Sequence, residues 1–173
     1  MCNSNKYNHL LKEIVDRGHS IAIHSKTHDY GTIYQSKEAF LEDLYSMQDI
    51  IETHTGVKTM LMRFPGGGSN VISEKYSKGI MTELVSEIET AGLEYFDWNV
   101  SSGDAGEVKS KNAIVQHVIG GIQQHSRSIV LQHDIKDYSV KAVPEIIQWG
   151  LDNGYEFHSL NMHSPKSHHT VVN

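Results

Sequence analysis

Short apolar, β-prone runs alternate with longer segments of helical period along this chain, and nothing else in the sequence restricts the fold as tightly. Runs near 20–24, 59–63, 94–99, 128–132 and 155–160 read as strands. Between them lie apolar stripes of 3.6 period. Leu10, Leu11, Ile14 and Val15 mark a first helix stopped by Gly18. Phe40, Leu41, Leu44, Met47, Ile50 and Ile51 mark a second, which Ser36 can cap and Gly56 ends. Ile80, Leu84, Val85 and Ile88 mark a third that stops at Gly92, and Ile114, Val118 and Ile122 a fourth. A fifth, near Ser139 to Asn153, carries Val143, Ile146, Ile147 and Leu151, with Gly154 as its terminator. Pro144 fits that helix only close to its true start. Strands alternating with helices of this length imply right-handed βαβ units and a parallel sheet.

At 173 residues the chain is expected to be a single domain with a proper core. No internal repeat or linker interrupts it, and the stretch from Ser164 to Asn173 reads as a polar, irregular tail. The units are too few for a standard eight-stranded barrel, and the pattern opens on a helix rather than a strand. The expected fold class is therefore α/β, a distorted and incomplete (β/α) barrel lacking its N-terminal strand or strands.

Chemically loaded residues recur just past the strand ends. Ile21-Ala22-Ile23 leads into His24 and His28; Met60-Leu61-Met62 into Arg63-Phe64-Pro65-Gly66; Leu93 to Phe96 into Asp97, Trp98 and then Asp104; Ile129-Val130-Leu131 into His133 and Asp134. In β/α barrels the loops beyond the C-terminal strand ends build the active site, so the recurrence points to one site assembled by four loops. The net charge of −6, with no Lys/Arg cluster, argues against a nucleic-acid partner. No run reaches the ~18 apolar residues of a membrane span, and the first residues do not read as a signal peptide. The single cysteine, Cys2, excludes an intramolecular disulfide. Of the twelve histidines, His9, His54, His117 and His125 fall in or at the ends of helices and carry no special reading.

His24-Ser25-Lys26-Thr27-His28 sets two imidazoles four residues apart after a strand, so His28 must fold back through a turn. Two imidazoles suit Zn²⁺, with a carboxylate or another His as the usual third ligand; the plain alternative is two unrelated surface histidines. In Arg63-Phe64-Pro65-Gly66-Gly67-Gly68, Arg63 could hold a carboxylate, and the glycines could present N–H groups to an oxyanion. A tight surface turn with a solvated Arg is the competing reading. Trp98 could stack on a sugar or sit in the core. His133 ends its strand with a group suited to general acid work near neutral pH, although strand-end histidines are often structural.

Taken in order, H-S-x-x-H, R-x-P-x-G, W-x-x-S-x-x-D and L-x-H resemble the polysaccharide deacetylases of carbohydrate esterase family 4, the NodB-homology group, and most nearly its bacterial peptidoglycan deacetylase branch. The resemblance spans the chain from first helix to last strand. It implies a distorted (β/α) barrel and hydrolysis of N-acetyl groups on a cell-wall polysaccharide, peptidoglycan or chitin-like. By resemblance, His24 and His28 hold a divalent metal, with Zn²⁺ the expected ion, and Arg63 orients the catalytic base. The Gly66 N–H helps bind the oxyanion, Leu131 lines the acetyl pocket, and Asp104 tunes the acid His133. In the family mechanism water is activated by the metal and an Asp, and His protonates the leaving amine.

Two departures qualify the resemblance. The family's Trp after the tuning Asp is Ala105 here, and the first motif, a strand ending in Thr-Phe-Asp-Asp that supplies base and third ligand, is absent. The expectation is a domain shortened at its N-terminus, weak or inactive as written; the alternative is a non-catalytic relative that binds metal or glycan. The partners expected are an N-acetylated glycan and, through an exposed edge, a second copy of the chain. The full-length parent is expected in the cell envelope or outside the cell.

Overall fold

The structure, a computed structural model, describes residues 7–106 and 108–173; Cys2 lies outside the described residues. Packing divides the chain into two compact units, one of residues 1–97 and 159–173, the other of residues 98–158.

The first unit opens on α1 (Asn8–Asp16), which Gly18 ends at φ 81°. Its predicted stripe is present, but none of its residues is buried: Leu10 and Ile14 are 41% and 37% exposed. A short helix α2 (Tyr30–Ile33), not anticipated, starts where the Asp29 carboxylate accepts the Gly31 N–H at 3.1 Å. The long helix α3 (Lys37–Thr55) has the expected ends, Ser36 accepting from the Ala39 N–H and Gly56 at φ 75°. Its buried face, Phe40, Leu44, Met47 and Ile51, packs against Ile23, Met62, Phe64 and the buried face of α4 (Ile80–Thr90).

Strand formation is sparser than the sequence pattern suggests. Strand β1 (Leu61–Met62) pairs in parallel with β2 (Glu94–Tyr95), in register Leu61 to Glu94. The run at 20–24 makes only a bridge, Ile23 to Met62, with bonds from Ile23 N to Leu61 O (2.8 Å) and Arg63 N to Ile23 O (2.9 Å). The run at 155–160 forms no strand. A strand exists through its ladder partners, and among the described residues these two runs find few.

The predicted strand at 94–99 is also split. After Phe96, whose N–H still donates to Met62 O, the backbone changes partners: Asp97 N donates to Ser167 O at 2.7 Å, while Asn99 N turns to Ile129 O at 3.1 Å. That exchange opens the second unit. There β3 (Val100–Ser101) pairs in parallel with β4 (Val130–Leu131). Its core gathers the inner face of α5 (Lys111–Ile122) with Ala142 and Ile146. The single helix expected near 139–153 is two, α6 (Asp137–Val140) and α7 (Val143–Asp152). Pro144 lies in the first turn of α7, where its missing N–H costs nothing; farther inside one continuous helix it would break the ladder. The fold is mixed α/β.

Candidate active site

In the first unit, β1 and the bridge at Ile23 bring two loops together. His24 and His28 close on each other, ring centroids 5.1 Å apart. The loop has a specific lock. Asp43, 8% exposed on the inner face of α3, accepts from Ser25 Oγ (2.7 Å), Lys26 N (2.8 Å), Thr27 N (3.0 Å) and Thr27 Oγ1 (2.7 Å). Ser25 Oγ in turn accepts the His28 N–H at 2.8 Å, holding His28 at φ 55°, the left-handed conformation that non-glycine residues seldom adopt. Burial works to raise the Asp43 pKa, but the four donors outweigh it and hold it below the ordinary value.

His24 Nδ1 lies 2.8 Å from the Arg63 carbonyl. A carbonyl only accepts, so Nδ1 carries the proton and the lone pair sits on Nε2, the arrangement usual in a metal-binding imidazole. The donor set fits a borderline divalent ion of the zinc type. Among the described residues no third His, Cys, Asp or Glu groups with the pair, so any further ligands would be water or groups outside them.

The Arg63 loop is pinned from beneath. Tyr34 Oη and Asn70 Nδ2 both donate to the Pro65 carbonyl, at 2.6 and 3.1 Å. Gly66 and Gly67 take φ 83° and 81°. Gly68 N donates to Asp97 Oδ1 at 2.8 Å, and a Cβ on Gly68 would sit 2.7 Å from Asp97 Oδ2. The Arg63 side chain is largely desolvated, which lowers its pKa, with the Asp97 charge acting the other way. Its buried Nε has no hydrogen-bond partner among the described residues.

The tail predicted as irregular forms no helix or strand, yet it is fastened to this loop. His169 N donates to Asp97 Oδ2 at 2.8 Å, and the His169 ring meets Ser69 Oγ at 3.1 Å. His168 stacks on Tyr95 at 3.8 Å, and Lys166 pairs with Glu94 at 2.5 Å.

In the second unit, β3 and β4 deliver Asp104 and His133. Asp104, 1% exposed, receives the His133 N–H on Oδ2 and the His133 ring Nδ1 on Oδ1, both at 2.8 Å. Ser139 Oγ adds a third bond at 2.6 Å, and Lys136 Nζ donates to the Asp104 carbonyl. Burial alone would raise the Asp104 pKa; the bonds from Ser139, His133 and Ser102 overcome it and bring it down to about 2. The Asp104 carboxylate only accepts, so the facing Nδ1 of His133 carries a proton, and Nε2 is left to exchange a proton with a ligand. Leu131, half-buried, ends β4, and its carbonyl accepts from Ser102 N at 3.0 Å. Trp98 is half-buried rather than core, and Ala105 is exposed.

Each unit thus assembles its own share of the predicted residues: His24, His28, Arg63 and Gly66 in the first, Trp98, Asp104, Leu131 and His133 in the second. Sequence reasoning overlooked Asp43 and gave no role to Asp97 or Ser139. Asp43 had left a signal, a carboxylate on the apolar stripe between Phe40 and Leu44.

The polysaccharide deacetylase family model matches residues 2–84. The catalytic domain of a peptidoglycan N-acetylglucosamine deacetylase from Eubacterium rectale is 51% identical, with TM-score 0.95 over 97% of this chain and 77% of that one. A polysaccharide deacetylase from Bacillus cereus is 25% identical, with TM-score 0.76 over 96% and 78%. A peptidoglycan-N-acetylglucosamine deacetylase of Bacillus cereus is 27% identical over 167 residues, covering 94% of this chain and 58% of that protein. The chain spans 52% and 58% of the length of two curated relatives it matches. Its α/β fold is that of deacetylase catalytic domains. The chain belongs to the polysaccharide deacetylase family.

Proposed function

We propose that this chain carries the machinery for hydrolysing N-acetyl groups on a cell-wall polysaccharide, peptidoglycan or a chitin-like glycan, with His24 and His28 as metal ligands. The observation that carries the reading is the locked His24–His28 turn, with His24 Nδ1 held by the Arg63 carbonyl. Membership of the deacetylase family and the names of its relatives supply the substrate class. A divalent metal, Zn²⁺ by the donor chemistry, would polarise the acetamide carbonyl and acidify water there.

The remaining roles belong to the chain itself. The Gly66 N–H donates a hydrogen bond to the acyl oxygen as negative charge develops on it. His133, held by Asp104, gives its Nε2 proton to the departing amine once protonated. Leu131 bounds the acetyl methyl, and Trp98 offers an aromatic face to the sugar. Arg63 awaits a carboxylate: its buried Nε, without a partner among the described residues, suits the base that the family's Asp-Asp motif supplies, and no Asp-Asp pair occurs in this sequence. Asp29 is a poor substitute, because its two oxygens already accept from Gly31 N and Thr32 Oγ1.

This sequence, which holds no Asp-Asp pair, therefore supports a weak deacetylase. The same gap supports the second reading, a relative that binds metal or glycan without turnover. The exposed apolar residues of α1 support pairing with a second copy, and the substrate class supports a place in the envelope or outside the cell. Acetate release from chitooligosaccharides by zinc-loaded protein tests the enzyme reading. Slow release that His133→Ala abolishes supports it; release that His133→Ala leaves unchanged rejects the site, and no release with intact glycan binding favours the second reading.

A further inference from the structure

Tyr30 lies outside every role assigned so far, yet it bridges the two loops of the first unit. It is the first residue of α2, behind the Asp29 cap. Its ring contacts His28 (centroids 5.6 Å, 45°) on one side and Tyr34 (5.4 Å, edge-on) on the other. Tyr34 is itself fixed by its bond to the Pro65 carbonyl, so the Tyr30 ring has little room to turn. Its hydroxyl reaches Gly66: a Cβ built there would stand 2.8 Å from Tyr30 Oη. The hydroxyl therefore fills the space that the missing Gly66 side chain leaves. Among the described residues it makes no hydrogen bond, although the residue is half-buried.

We infer that Tyr30 is a catalytic residue, its Oη donating a hydrogen bond to the acyl oxygen beside the Gly66 N–H. The inference rests on the proposed function, in which the acetamide meets the chain between the imidazole pair and Gly66. A donor held in place before the reaction stabilises the oxyanion more than the planar ground-state carbonyl. Gly66 is needed twice over, for its φ of 83° and because any side chain would displace the hydroxyl.

The test is calorimetry on zinc-loaded wild type, Tyr30→Phe and Gly66→Ala. One probe is an N-methylphosphonyl glucosamine oligomer, whose tetrahedral anion mimics the intermediate; the other is the matching N-acetylglucosamine oligomer. Phe keeps the ring contacts to His28 and Tyr34, so zinc affinity and melting temperature should stay as in wild type. The expected result for Tyr30→Phe is tetrahedral-probe binding weaker by on the order of 100-fold, with N-acetyl oligomer binding within about twofold. Gly66→Ala should lose the tetrahedral probe as well. Equal probe binding by wild type and Tyr30→Phe overturns the inference, and so does equal weakening of both probes, which would make Tyr30 a sugar contact. If the wild type binds neither probe, the deacetylase reading itself fails and the assignment falls with it.

Discussion

Asp104 grips His133 at two points, Oδ2 on the backbone N–H and Oδ1 on ring Nδ1, each at 2.8 Å. One buried carboxylate thus sets both the position of the strand end and the tautomer of its imidazole.

The grip predicts a pH-dependent contribution to stability. The folded Asp104 pKa, about 2, lies below the ordinary value of about 3.9. The contribution is therefore fully present above about pH 5 and is lost as pH falls toward 2, amounting to on the order of 2 kcal/mol. Urea unfolding of wild type and Asp104→Asn at pH 7, 5 and 3 should show a gap that narrows at the lowest pH. A gap independent of pH would mean that the carboxylate charge is not what stabilises the dyad.

Asp43 should matter as much to metal binding as to folding. An Asn there keeps one acceptor oxygen where four donors converge, and unpaired buried donors cost about 1–3 kcal/mol each. Asp43→Asn should lower the melting temperature. Ser25→Ala, which removes the acceptor for the His28 N–H, should weaken zinc binding by about 10–100-fold. Unchanged zinc affinity in Ser25→Ala would show that the turn holds without its hydroxyl.

Catalysis by the chain as written should fall roughly 10²–10⁴-fold short of a site with its general base. Acetate release at the rate of the Eubacterium rectale relative's catalytic domain, lost on His133→Ala, would show that a residue of this sequence acts as base. Asp134, exposed beside His133, would then be the first to mutate.

Self-association should depend on α1. Light scattering of wild type and Leu10→Asp should show a dimer that the substitution breaks. A concentration-independent monomer with a cooperative melt in both proteins would contradict pairing through this helix.

The sequence pattern located α3, α4 and α5 well, because caps and apolar stripes are local signals. It overestimated the strands, since a β-prone run such as Ile21–Ile23 becomes a strand only where partners complete its ladder. It named candidate site residues by their order along the chain, and the structure sets His24 against the Arg63 carbonyl and His133 against Asp104. The supports of those residues were not legible. Asp43, Asp97 and Ser139 act through contacts 16 to 72 positions away in sequence, and no local pattern marks such pairs. The tail shows the same limit, because its composition resembles a loose end while Asp97 and Glu94 hold it in place.

The proposed pairing of His24 and His28 on a divalent metal is tested most directly by zinc titration in a calorimeter. Wild type should bind zinc at a single site, more weakly than a complete three-ligand site. His24→Ala and His28→Ala should each abolish that binding while the protein stays folded. Equal zinc binding by wild type and both variants would contradict the account.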